Sequence, residues 1–246
     1  MTYGPEPQER VAPAAAAMLH TWRTMTFIHW RYDSEVVQRL VPGHLVVETF
    51  DGSAWVGLTP FVLANVRAPG ALPVPWISST PETNVRTYVV GPDGRRGIWF
   101  FSLDIGCLPA AAVGRSTYVL PYLWSDMAVD ERTDVIRYTG HRRWPQRPGH
   151  YDITVHPGES YSDNELSELD HFLTALWVVH MHYGPVPAFI RAEHQRWPLA
   201  RADIAELEQD VLQSGGLPAP SGEPLAHFST GVDVRISVPH LARGAG

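Results

Sequence analysis

The chain contains no lysine, and all 19 of its basic residues are arginine. Guanidinium stays protonated and is a poor nucleophile, so no side-chain amine is available to form a Schiff base with a carbonyl substrate. A genome that favours Ala, Gly, Pro and Arg codons accounts for such a bias without functional pressure. The chemical consequence is independent of the cause: covalent catalysis by a side-chain amine is excluded.

Cysteine is nearly absent as well. The single Cys107 excludes an internal disulfide and any metal site built from several cysteines. Its neighbours Gly106 and Leu108 provide no base, so a packed thiol is favoured over a catalytic one.

Long apolar runs and long basic runs are also missing. No segment approaches the roughly 18 apolar residues of a membrane span, and no basic region precedes the Ala-rich start, so we predict a cytoplasmic protein without a membrane partner. The formal charge is −7 and no basic run exceeds Arg95-Arg96 or Arg142-Arg143. Because phosphate binding requires a basic face, a nucleic-acid partner is not expected.

Apolar residues make up 44% of the chain, and they include the aromatic residues, which make up 11% with nine tryptophans. A β-hairpin over residues 84–104 is its central feature, because two β-branched and aromatic runs flank a turn-rich linker. Alternation places Asn84, Arg86 and Tyr88 on one face of its first strand. Two interpretations are equally open: this face lines a polar site, or the strand is an edge with a solvated face.

Short strand-like segments make up most of the remaining sequence. The predicted strands cover residues 24–31, 45–50, 54–66, 84–90, 98–104, 117–127, 135–143, 151–156, 178–183, 188–194 and 228–238. Asp51-Gly52 predicts a hairpin turn between the second and third of these. Prolines in residues 68–83 predict a loop over the surface or over a cavity mouth.

Few helices are predicted. Asp33 or Ser34 caps a short helix ending at Val41, and residues 110–114 form a helical turn. Ser167 and Asp170 form a capping box at the start of a second helix. Residues 204–212 have the spacing of a helix face, but the start of this run alternates like a strand, so its assignment is left mixed.

The pattern predicts a mainly β (α+β) fold: an N-terminal arm over residues 1–20, then a single antiparallel β-barrel or closed sandwich over residues 21–246, with a few short helices.

Two candidate sites are weak on spacing alone. His180 and His182 share a strand face, but a third metal ligand at recognisable spacing is missing, so no metal site is assigned and metal binding by this pair is left open. Glu193 and His194 are adjacent, so only one of them can enter a given cavity.

The sequence resembles the DUF2071 (YqjF-like) family of the acetoacetate decarboxylase-like superfamily. The resemblance rests on segments that span nearly the whole chain: MTFIHWR (25–31), FDGSAWVGL (50–58), NVRTYV (84–89), GIWFFSLD (97–104), HFLT (171–174), EH with WPL (193–199) and GVDV (231–234). It implies a β-barrel with a central cavity. It also places Tyr122 where the decarboxylase has its Schiff-base lysine, and Asn84 where that enzyme has a pocket glutamate.

With the amine missing, the resemblance implies a cavity enzyme that uses acid/base catalysis and oxyanion stabilisation on a carboxylate- or carbonyl-bearing substrate. The predicted catalytic residues are Arg86, Tyr122 and His29. The predicted substrate-binding residues are Asn84, Tyr88, Trp99 and Glu193.

No cofactor is expected, and the predicted partner is a small molecule. The sequence leaves open whether the chain forms a homo-oligomer. Two alternatives also remain open. Arg86 could instead form a buried ion pair with Glu193, Glu82 or Asp104, and the protein could bind an apolar metabolite without chemistry.

Overall fold

The computed structural model describes residues 16–73, 78–145, 148–162, 164–184 and 186–242. Strands dominate these ranges. The strands are β1 Ala16–Tyr32, β2 Val46–Val47, β3 Ala54–Arg67, β4 Thr80–Val90, β5 Arg96–Ile105, β6 Tyr122–Glu131, β7 Ile136–Trp144, β8 His150–Ser160, β9 Val178–Tyr183, β10 Val186–His194, β11 Leu199–Gln209, β12 Leu225–Ser237 and β13 His240–Leu241. The helices are α1 Ser34–Gln38, α2 Leu108–Thr117, α3 Glu168–Thr174 and α4 Val211–Ser214.

All thirteen of these strands belong to one sheet that closes on itself in two places. Strands β12, β1, β3, β4 and β5 pair in that order and form what we call the shared wall. Strands β6, β7, β8 and β11 connect the two ends of this wall on one side, and β9 and β10 connect them on the other. The predicted mainly β, closed-sandwich fold is confirmed.

The two faces of the shared wall have different surroundings. One face, which includes Val85 and Val89 of β4, packs against β7 and β8 in a filled apolar core. The other face packs against β9 and β10 in a second apolar cluster that contains Phe27 and Phe61. Since successive side chains of a strand point to opposite faces, the alternation of β4 decides which of its residues enter which compartment.

The central hairpin of the prediction is present as β4 and β5, which pair antiparallel from Glu82 with Ile105 to Val90 with Arg96. Gly94 in the connecting turn has a φ of +77°, a conformation that glycine adopts without steric cost. A register shift between Val85 and Arg86 marks a bulge in this pair. The edge-strand interpretation is wrong, because β4 is covered on both faces and paired on both sides.

Several predicted details need correction. The sheet is not wholly antiparallel, since β5 pairs parallel with both β6 and β9. The predicted hairpin around Asp51-Gly52 is limited to a bridge between Phe50 and Ser53, and β2 instead pairs with β4. β1 begins at Ala16, so residues 16–20 belong to the sheet and not to an arm. Residues 1–15, and residues 74–77 of the proline-rich loop, lie outside the described ranges.

The helix predictions are largely confirmed. Asp33 caps α1 by accepting hydrogen bonds from the backbone of Glu35 and Val36. The capping box of Ser167 and Asp170 is formed at the start of α3. Residues 204–212, which the sequence left open, divide into the end of β11 and the start of α4. None of the helices in the described ranges has the length and apolar character needed to cross a membrane.

Candidate functional site

A cavity of about 390 Å³ lies beside the shared wall, on the side of β9 and β10. Helix α2 also contributes to its lining through Ala110 and Gly114. Aromatic rings cover much of its surface: Trp22, Phe61, Phe100, Tyr118, Tyr122, Trp177 and Trp197. Rings of this size give the cavity an apolar lining that favours an apolar ligand body.

Polar groups enter this cavity mainly from one strand. Glu82, Asn84 and Arg86 occupy alternate positions of β4, all are buried, and all line the cavity. The Asn84 Oδ1 and Arg86 Nε atoms are buried without a hydrogen-bond partner among the described residues. Buried polar atoms are nearly always satisfied, so these two are the atoms expected to meet a ligand.

Arg86 forms no ion pair with a carboxylate of the described chain, although it is only 7% exposed. Its guanidinium lies 5.2 Å from the centre of the Phe27 ring. The proposed structural partner Asp104 is instead bound by Arg142, whose Nε and Nη2 lie 2.7 and 2.8 Å from its two carboxylate oxygens. The cation of Arg86 is therefore available to an anion in the cavity.

Tyr88 connects Arg86 to the layer behind the cavity. Its hydroxyl donates to the Leu173 carbonyl oxygen at 2.8 Å and lies 2.6 Å from His29 Nε2. A phenol has one proton and a carbonyl oxygen can only accept, so His29 Nε2 must be the donor to Tyr88. Burial raises the pKa of Tyr88, and the charge of the adjacent Arg86 opposes this shift.

His29 lies behind the cavity wall and not in it, which corrects the prediction that it reaches the substrate. Complete burial lowers its pKa well below the usual value, with further contributions from Arg86 and His227. Its neutral ring fits against Gly57, where an added Cβ would lie 2.9 Å from Nε2. Tyr88, also predicted to bind substrate, lies in this same buried layer.

Glu82 is the cavity residue that was not included among the predicted site residues. Burial, with a smaller contribution from Asp104, raises its pKa to about 8, although a hydrogen bond from Tyr122 opposes the shift. The carboxyl group is therefore protonated at neutral pH. Glu82 lies two residues before Asn84, so it shares the strand face of Asn84 and Arg86. Extending the predicted strand by two residues at its start identifies Glu82 as a cavity residue.

Tyr122 contacts Glu82, with its hydroxyl 3.4 Å from Glu82 Oε2. Burial and the neighbouring Glu82 raise the pKa of Tyr122 well above its usual value, so the phenol stays protonated. Helix α2 holds the ring in place: a Cβ at Gly114 would lie 2.3 Å from its Cδ2, and Arg115 donates to the Tyr122 carbonyl oxygen at 2.8 Å. Tyr122 lines the cavity, and its catalytic role stays a prediction.

Trp99 and Glu193 lie elsewhere. Trp99 is on the opposite face of β5, packs against the filled core and stacks on His182 with 5.9 Å between ring centres. Glu193 lines a separate, more open groove of about 400 Å³. The adjacent His194 lines both the groove and the cavity, so, as predicted from strand alternation, only one of the pair enters the cavity. The prediction that Trp99 and Glu193 contact a substrate in this cavity is therefore corrected.

The histidines of the described chain do not form a metal centre. No group of three or more potential ligands is found in the described ranges. His180 is buried, with its Nε2 3.1 Å from the Arg95 carbonyl oxygen, whereas His182 lies 3.1 Å from the Gly184 carbonyl oxygen. Burial lowers the pKa of His194 to about 4, so the histidine beside the cavity is neutral at pH 7.

Solved structures share this fold. An acetoacetate decarboxylase-like enzyme from Sphingomonas wittichii RW1 has a TM-score of 0.64 at 12% identity, with 94% of each chain covered. The enduracididine biosynthesis enzyme MppR complexed with pyruvate has a TM-score of 0.63 at 12% identity, with 97% of this chain and 95% of MppR covered. At this identity the similarity concerns the fold alone.

Sequence relatives are more similar. The uncharacterized protein YqjF of Bacillus subtilis (strain 168) is 31% identical over 217 residues, which cover 88% of this chain and 89% of YqjF. The profile of DUF2071, described as an uncharacterized conserved protein, matches residues 19–233. The chain belongs to the DUF2071 family, and its fold is that of the acetoacetate decarboxylase-like enzymes.

Proposed function

We propose that the protein is an enzyme that binds a small carboxylate- or carbonyl-bearing molecule in the aromatic cavity and acts on it by proton transfer and oxyanion stabilisation. The observation that carries this proposal is the buried Arg86, which has no carboxylate partner among the described residues and lines the cavity beside the unpartnered Asn84 Oδ1. A buried charge without a partner is costly, so its retention is explained by an anionic ligand.

Arg86 supplies the binding charge for a carboxylate or a developing enolate. In a site with little water, a guanidinium binds such oxygens through two parallel hydrogen bonds. Tyr88 faces Arg86 from the layer behind it. Its hydrogen bonds to His29 and to the Leu173 carbonyl oxygen hold the Tyr88 side chain in one orientation. His29 is therefore a positioning residue in this proposal.

Glu82 supplies the proton. A carboxyl group with a pKa of about 8 is protonated at pH 7 and can donate to a carbonyl oxygen whose negative charge increases during the reaction. Tyr122 hydrogen-bonds to the same group and orients it. With no lysine in the chain, this chemistry proceeds without a Schiff base.

The fold similarity supports a small organic acid as the ligand class. MppR, which shares the fold, is complexed with pyruvate in one solved structure. The rival function is binding of an apolar metabolite without conversion, and the largely aromatic lining of the cavity favours it.

Native mass spectrometry after incubation with a metabolite extract separates these functions. A co-purified ligand that is converted on incubation supports an enzyme, and a ligand released unchanged supports the rival. For the converted ligand, we expect Arg86→Met and Tyr122→Phe to reduce turnover by at least about a hundredfold. If neither variant loses turnover, the proposal is contradicted.

A matched control distinguishes chemistry from folding. Tyr88→Phe removes a hydroxyl with two short hydrogen bonds, and it should lower the free energy of unfolding by about 2 kcal/mol because buried groups of His29 and Leu173 lose their partner. Arg86→Met and Tyr122→Phe should leave the melting temperature close to that of the wild type, because Arg86 has no carboxylate partner in the described chain and the Tyr122 hydroxyl makes only a long hydrogen bond.

A further inference from the structure

We propose that the ligand is an elongated acid whose carboxylate binds Arg86 and whose carbonyl or hydroxyl group, separated from it by an apolar chain of several carbon atoms, binds Glu82 and Tyr122. This inference rests on the proposed function and adds the class of substrate. It also assigns the reacting group to the Glu82 end of the cavity.

The two polar groups are far apart along β4. Glu82 pairs with Phe61 and Ile105, whereas Arg86 pairs with Gly57 and Phe100. Four residues of extended strand separate their Cα atoms by about 13 Å. The positions therefore mark two regions of one cavity.

The side chains keep this separation. The Glu82 carboxyl group meets the hydroxyl of Tyr122, whose ring packs on Gly114 of α2. Arg86 instead lies over Phe27 and faces Tyr88, whose hydroxyl donates to Leu173 of α3. Glu82 is thus associated with α2 and Arg86 with α3. The charge of Arg86 is also not among the groups that shift the pKa of Glu82.

Asn84 lies between the two groups on β4, and its Oδ1 is available to a polar atom of the ligand; the facing surface is apolar. Phe100 of β5 is the cross-strand partner of Arg86, and Phe61 of β3 is the cross-strand partner of Glu82. Trp22 lies 5.7 Å from the Phe61 ring and 6.2 Å from the Trp197 ring, and all four rings line the cavity. An aliphatic chain or an aromatic ring gains affinity from this surface, and the cavity volume is within the range of sites that enclose such ligands.

This separation has a chemical consequence. In pyruvate or acetoacetate the carboxylate and the ketone are too close together to bind Arg86 and Glu82 at the same time. In an elongated oxo acid the carboxylate serves for binding, and the ketone at the Glu82 end accepts a hydrogen bond from the protonated carboxyl group. The bound carboxylate is then not the group that reacts.

Calorimetry with three acids tests the inference: pyruvate, 5-phenylpentanoate and 5-oxo-5-phenylpentanoate. The wild type should bind the phenyl oxo acid at least about a hundredfold more tightly than pyruvate, since each buried methylene contributes about fourfold. It should bind the oxo acid about tenfold more tightly than the acid without the ketone, because the ketone accepts a hydrogen bond from Glu82.

Variants locate each end. Glu82→Met should remove the advantage of the oxo acid over 5-phenylpentanoate while leaving the affinity for the latter unchanged. Arg86→Met should weaken both acids alike by at least tenfold. The exposed Glu223→Met serves as the control and should alter neither affinity. Circular dichroism confirms that each variant is folded.

The outcomes separate this inference from the proposed function. Pyruvate binding that depends on Arg86 and is as tight as that of the phenyl oxo acid overturns the elongated ligand and leaves the proposed function standing. The same holds for a ketone advantage that survives in Glu82→Met. Affinities that are all unchanged in Arg86→Met overturn both.

Discussion

At the scale of single residues, the molecule depends on buried polar groups in three different conditions. Arg142 and Asp104 satisfy each other and are structural. Tyr88 is satisfied by two partners and holds the layer behind the cavity. Glu82 is held in its protonated form by burial, and this condition has a measurable effect on stability.

Glu82→Gln should reduce the loss of stability between pH 5.5 and pH 7.5. The folded pKa of about 8 lies above the value of 4.5 expected in the unfolded chain, so in this window the folded state holds a proton that the unfolded state has released. The free energy of unfolding then falls as the pH rises, by about 1.4 kcal/mol per pH unit for this group. Gln cannot titrate and lacks this contribution.

Urea denaturation of the ligand-free protein at both pH values measures the effect. Over this interval the wild type should lose on the order of 2 kcal/mol more than the variant. The histidines titrate in both proteins and cancel in the comparison. Equal losses would mean that Glu82 is ionised in the folded state, and its role as a proton donor at neutral pH would have to be abandoned.

At the scale of elements, local sequence predicted what depends on local chemistry. The capping box at Ser167 and Asp170 and the turn between β4 and β5 were predicted correctly, because both are decided by neighbouring residues. The partner of β2 was predicted wrongly, because pairing with β4 brings together residues about 40 positions apart in the chain. Helix α2 was predicted only as a turn, yet it positions Tyr122.

Gly114→Ala tests the contact between α2 and the cavity. Alanine is the better helix former, but its Cβ would lie 2.3 Å from Tyr122 Cδ2, so the ring must move. We expect a loss of about 1 to 3 kcal/mol in the free energy of unfolding and a lower affinity for ligands that contact Tyr122.

Gly43→Ala is the matched control for this change, because nothing lies within 4 Å of its added Cβ. Thermal unfolding and the affinity for 5-oxo-5-phenylpentanoate should be measured for both variants. If Gly114→Ala behaves like Gly43→Ala in both measurements, Tyr122 does not depend on α2 for its position.

At the scale of the whole molecule, one wall serves two compartments. Strands β12, β1, β3, β4 and β5 give one face to a filled core and the other to a cluster that encloses the cavity. Enzymes that share this fold differ from the present chain in more than 85% of aligned positions. One difference that can be tested directly is the absence of lysine from this chain.

Reductive trapping should fail for this protein. Incubation with pyruvate and cyanoborohydride adds mass to a protein whose side-chain amine forms a Schiff base, and no such amine exists here. Intact-mass and peptide mass spectrometry should show no adduct other than at the amino terminus. An acetoacetate decarboxylase treated in parallel is the positive control, and an adduct on an internal peptide would contradict the prediction.

The sequence by itself determined the features that composition and alternation control: the exclusion of Schiff-base chemistry, the mainly β fold, and the placement of Asn84 and Arg86 on one face of β4. Only the tertiary structure decided which side chains share the cavity. Trp99 and Glu193 were misplaced, and Glu82 was left out of the predicted site. The physical reason is that alternation specifies the face of a strand, whereas the contents of each compartment depend on distant strands that close the sheet.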